Sequence, residues 1–141
     1  MAPLALVHVV AVFLWFGVVA AEVAVELRGR DVEGMRRAAV DHYWIDATVE
    51  LPLLAVVMAT GAWLTARAWP LAPAQVAMVA CGTAAVAANV ACVAFVFARH
   101  RAVEDAALVR VNRRRIFACA IAGGPFGLAA AVIGLKWMLG G

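Results

Sequence analysis

DHYWIDATVELPLLAVVMATGAWLTAR, residues 41–67, decides the architecture of this chain. Its uncharged part, Leu51 to Ala66, covers only ~24 Å as a helix, short of the ~30 Å hydrocarbon core of a bilayer. A spanning helix must therefore extend backward through Glu50 and Asp46, or forward past Arg67. Trp63 and Trp69 stand where an interfacial aromatic belt falls, so backward extension is expected. That draws two carboxylates towards the membrane.

Three more apolar spans flank this one: Leu4 to Ala21, Ala68 to Ala98 and Ile116 to Leu135. Pro70 and Pro73 suggest that the third helix starts near them, with proline in its first turn. The chain is 67% hydrophobic and 15% charged, with a mean hydropathy of +0.94. Soluble domains are nearer half apolar and a quarter charged, so a soluble fold is excluded. The expectation is one all-α domain over residues 1–141, an integral membrane four-helix bundle. Its helices are placed at about 3–27, 41–67, 72–98 and 114–138.

Arginine placement predicts the orientation. The first connection carries Arg28, Arg30, Arg36 and Arg37, and the third carries Arg99, Arg101, Arg110, Arg113, Arg114 and Arg115. The opposite side has only Arg67 and Lys136. By the positive-inside rule both basic connections are cytoplasmic, giving an N-out, C-out, multi-pass protein of the inner (plasma) membrane. The basic balance then reflects lipid headgroups. No aromatic residue interleaves the arginines, so no nucleic-acid partner is expected. Val18 to Glu22 resembles a cleavage site, but a basic n-region is missing, so a retained first helix is expected. Cys81, Cys92 and Cys119 have no CxxC spacing and read as buried small residues.

All nine acidic residues fall in the cytoplasmic half. Asp31, Glu33, Glu104 and Asp105 lie beside loop arginines and need no function. Glu22, Glu26, Asp46 and Glu50 stand in helices, where a lipid-facing carboxylate costs ~2.5 kcal/mol or more. At 100° per residue His8, Trp15, Glu22 and Glu26 lie within ~40° of one another. His42, Asp46 and Glu50 form an i, i+4, i+8 ladder on the second helix. Antiparallel pairing brings Glu26 level with His42 and Glu22 level with Asp46, with Glu50 a turn deeper near Asn89. Gly123 and Gly124 leave room at that depth.

Converging carboxylates cannot all stay ionised and unpaired in a low dielectric. Metal ions, protons in a relay, or Arg28, Arg99 and Arg113 could neutralise them. The leading expectation is a transition-metal site with Glu22, Glu26, His42, Asp46 and Glu50 as ligands and Asn89 and His100 as auxiliary groups. Four carboxylates and two histidines match the ligand count of bundle-core di-iron and di-manganese sites, although the Glu-x-x-His spacing is missing. Mixed oxygen and nitrogen ligands suit Fe, Mn or Zn, one ion or two. Metal-dependent redox chemistry and metal handling both remain open, as does a proton-coupled carrier. Gly123, Gly127 and Gly134 form a small-residue stripe for packing inside the bundle or for a homodimer.

His8 is either an interfacial histidine or a ligand. With Trp15, Phe16 and Gly17 following it after six residues, it resembles the first helix of HemJ-type protoporphyrinogen oxidases and CopD-like membrane domains. Pro52 leading to Thr60-Gly61 resembles their second helix, and Lys136 is similar to a lysine near the end of their fourth. The resemblance rests on these short motifs and leaves out the acidic ladder. It implies a four-helix membrane fold, haem b with His8 as its contact, and porphyrinogen oxidation as the alternative function.

Overall fold

A computed structural model describes residues 3–140, with side chains as far as Trp137. Four helices follow one another: α1 (Pro3–Arg28), α2 (Val32–Arg67), α3 (Pro73–Arg101) and α4 (Ala106–Gly140). All four are long and apolar enough to cross a membrane. Leu6, Phe13, Leu14, Trp63, Ile121 and Leu128 are among the apolar side chains on the outside, as contact with lipid requires.

Two helices start earlier than hydropathy places them: α2 at Val32 where about 41 is expected, and α4 at Ala106 where about 114 is expected. The cause is capping. Asp31 Oδ1 accepts a hydrogen bond from the Gly34 amide at 2.7 Å, and Asp105 Oδ1 accepts from the amides of Ala107 and Leu108 at 2.8 and 3.1 Å. Each satisfies amides that the first turn leaves without partners. The extension of α2 is amphipathic, burying Met35, Ala38 and Ala39 while Glu33 and Arg37 stay in solvent. At 36 residues α2 is ~54 Å long, well beyond a bilayer core. The charged residues thus lie on helical extensions joined by short connections at one arginine-rich end. Arg36 Nη2 ties those connections together by donating to the Glu104 carbonyl at 2.8 Å.

Regular α geometry breaks once inside α2. Over Asp46–Glu50 the turn widens, and the Leu51 amide donates to the Asp46 carbonyl five residues back. Pro52 follows directly; lacking an amide proton and crowding the preceding turn, it favours such a break. The extra residue has a consequence for the ladder. An ideal α-helix rotates Glu50 about 80° away from His42, whereas the wide turn keeps His42, Asp46 and Glu50 all buried.

The bundle consists of two close pairs, α1 with α2 and α3 with α4. The second pair is drawn together by small residues. A Cβ on Gly123 would stand 2.8 Å from Ala88 Cβ, and one on Gly134 would stand 3.1 Å from Met78 Sδ. Gly127 faces Phe16 and Ala85. The glycine stripe considered for a homodimer is therefore occupied within the chain. Gly123→Val is expected to destabilise the fold by about 1–3 kcal/mol through overpacking, read as a lower thermal midpoint in detergent. Gly124→Ala should leave it unchanged, since a Cβ there meets nothing within 4 Å.

Candidate metal centre

Glu22 and Glu26 of α1 meet His42, Asp46 and Glu50 of α2 near the arginine-rich end, all five at 5% exposure or less. His42 stands at the centre. Its Nδ1 lies 2.6 Å from Glu26 Oε1. Its Nε2 lies 3.6 Å from Glu22 Oε2 and 3.4 Å from Asp46 Oδ1. The first distance is a hydrogen bond; the other two exceed the usual 2.7–3.2 Å range. Glu22, His42 and Asp46 each offer one ligand atom, all within 4.8 Å of one another.

Glu26 is neutralised by a different partner. Arg99 Nη1 donates to Glu26 Oε2 at 2.9 Å and Nη2 donates to Oε1 at 2.5 Å, a forked pair with a fully buried guanidinium. Arg113 adds a hydrogen bond to the Glu26 carbonyl at 2.8 Å and lies 3.5 Å from Oε2. Glu26 therefore orients His42 and is matched by arginine, a correction to its place among the expected ligands. Of the expected neutralising arginines, Arg99 and Arg113 reach the cluster.

Glu50 sits a turn deeper, where its Oε1 accepts from the Trp15 indole at 3.0 Å. Asn89 of α3 lines a cavity that Trp15, Glu22, Glu26 and His42 also line. His100 does not join the cluster: its ring stacks on Tyr43 at 3.9 Å between centroids, 6° from parallel. Once Glu26 is set aside, Glu22, Asp46 and Glu50 face the single imidazole of His42. Glu22 Oε1 and both oxygens of Asp46 have no hydrogen-bond partner despite complete burial. Buried oxygens of this kind normally find partners or a cation.

His8 occupies a separate place. Its Nδ1 lies 2.8 Å from the Thr60 hydroxyl, which itself donates to the Val56 carbonyl at 2.6 Å. The hydroxyl proton being spent, the imidazole donates from Nδ1 and leaves Nε2 with its lone pair. Gly61 makes room for the ring, because a Cβ there would stand 3.1 Å from His8 Cε1. Lys136 is exposed. The three cysteines are free and half-buried.

Two elements of the site escape a reading of the sequence, and a third is legible only as a candidate. Arg99 counts among the arginines able to neutralise the cluster, but which carboxylate it meets is not legible. The indole of Trp15 shares a face with Glu22, yet its bond to Glu50 depends on how α1 and α2 dock. The wide turn had one local signal, Pro52 immediately after the carboxylates. No protein-family model, no curated protein and no solved structure matches this chain.

Proposed function

We propose that this is an integral membrane metalloprotein, arginine-rich end in the cytoplasm, in which Glu22, His42 and Asp46 bind one divalent transition-metal ion for redox chemistry. One observation carries the metal reading. The Nε2 of His42 faces two carboxylate oxygens at 3.4 and 3.6 Å while Nδ1 is held by Glu26 at 2.6 Å. Ligand bonds of ~2.0–2.2 Å set donor atoms about this far apart around a common ion. A histidine that donates one ring nitrogen to a carboxylate and turns the other towards a metal is a recurrent second-shell arrangement. The donor set, one nitrogen and carboxylate oxygens, suits the redox-active ions Mn and Fe and, by ligand type, also Zn, whose uptake alone would support the metal site without the redox chemistry.

A resident ion fits better than cargo in transit. Beyond Glu50, towards the other end of the bundle, Thr60 is the one buried polar side chain among the described residues. A carrier needs stepping-stones across the apolar core. Metal analysis of protein purified without chelator is expected to find about one ion per chain, or to find it after loading. No uptake of Mn, Fe or Zn under either condition removes this reading.

A second reading is favoured by His8, whose Thr60 contact presents Nε2 in the form that binds haem iron. Under it, the purified protein shows a Soret band that His8→Ala abolishes. A colourless preparation with no spectral response to added haem removes it.

A further inference from the structure

The contact of Ala88 with Gly123 is one rung of a ladder between α3 and α4. A Cβ on Gly127 meets Ala85 at 3.7 Å, and one on Gly82 meets Ala130 at 4.0 Å. From rung to rung a step forward on α3 is matched by an equal step back on α4, as antiparallel helices require. One turn on from Ala88 and one turn back from Gly123, the next rung pairs Cys92 with Cys119. Cys92 Sγ indeed faces α4, lying 4.0 Å from the Ile116 carbonyl oxygen, which points along the helix towards Cys119. The register continues beyond, where the Arg115 guanidinium lies 5.3 Å from the centre of the Phe95 ring.

The backbones are close enough here for a covalent link. At the Ala88–Gly123 rung the two Cβ positions are 2.8 Å apart, so the Cα atoms lie within ~6 Å of one another. A disulfide joins Cα atoms about 4.4–6.8 Å apart. Cys81, by the same count, falls opposite Ala130 and Ala131 and has no thiol across from it. Cys92 and Cys119 are half-buried within the membrane-length part of their helices, and line the cavity that Glu22 and His42 also line.

We propose that Cys92 and Cys119 are a redox-active dithiol, which a hydroperoxide dissolved in the bilayer oxidises to a disulfide joining α3 to α4. One thiol attacks the O–O bond and becomes a sulfenic acid, its proton leaving on the alcohol. The second thiol attacks that sulfur, forming the S–S bond and releasing water. Two protons and two electrons leave the thiols, and one hydroperoxide becomes one alcohol and one water. A neutral oxidant suits the place, because charged reagents do not readily enter an apolar span. The same barrier keeps out the thiolates that reverse such a bond. No metal ion takes part, so the dithiol is independent of the metal reading.

The test treats the full chain in lipid nanodiscs, stripped of metal by chelator, with cumene hydroperoxide and counts free thiols after unfolding. Thiols should fall from three per chain to one, with Cys81 the survivor and a cross-linked Cys92–Cys119 peptide in the mass spectrum. Dithiothreitol added after unfolding should restore all three. Cys81→Ser should lose both of its remaining thiols, whereas Cys92→Ser and Cys119→Ser should form no disulfide within the chain. Three thiols surviving the treatment, a disulfide that includes Cys81, or sulfinic acid in place of the cross-link overturns the pairing.

Discussion

Asp46→Ala is expected to empty the proposed metal centre. Asp46 is fully buried, neither of its oxygens has a hydrogen-bond partner, and Oδ1 faces His42 Nε2. Its close charged neighbours are the His42 imidazole and other carboxylates of the cluster. Removing even an outer partner of a metal ligand costs 10–100-fold in affinity, so loss of a ligand should exceed about 100-fold. The measurement is metal content after equilibrium dialysis against manganese, iron and zinc in turn. Thr83→Ala, on the exposed side of α3, should retain the ion. Glu26→Gln should fall between them, because it weakens the bond that holds Nδ1 without removing a ligand. Full occupancy of the Asp46→Ala protein would remove Glu22, His42 and Asp46 from consideration as a metal site.

The largest loss of stability is expected from Arg99→Ala. The guanidinium is completely buried and forked onto Glu26, itself 1% exposed. Deleting one partner of a buried ion pair leaves the other charge stranded and costs about 3–5 kcal/mol. Arg113, with a side chain 26% exposed, reaches Glu26 Oε2 only at 3.5 Å and cannot replace the fork. Arg99→Met combined with Glu26→Gln removes both charges and should recover much of the loss. Thermal midpoints of Arg99→Met, Glu26→Gln and the double variant, closed as a cycle, measure the coupling. A single Arg99→Ala variant within ~0.5 kcal/mol of the parent, the range of ordinary surface substitutions, would show that Glu26 does not need its partner.

Both predictions turn on residues whose importance was unequally visible. Spacing alone put Glu22 and Glu26 on one face of α1 and His42 and Asp46 on one face of α2, and antiparallel pairing set them at matching heights. Their convergence was legible because helical periodicity and rise are properties of the chain itself. Which carboxylate would be neutralised was not legible. Glu22 and Glu26 are the same residue type, one turn apart, yet Glu26 meets Arg99 and Arg113 while Glu22 keeps an unpartnered oxygen. The choice depends on the height and rotation of α3 and α4 relative to α1. His100 shows the same limit, being one residue from Arg99 and stacked on Tyr43 instead of entering the site.

The sequence by itself determined four membrane-length helices, a basic end and a carboxylate–histidine belt near that end. Hydropathy, charge and spacing add along the chain, so no contact need be known to read them. Only the tertiary structure decided that Glu26 is an arginine-paired support for His42 and that a widened turn keeps Asp46 and Glu50 inward. Each of these depends on side chains from separate helices meeting at a particular rotation. A one-residue change in the turn before Pro52, or a methyl group at Gly123, shifts that rotation while leaving the hydropathy pattern almost untouched.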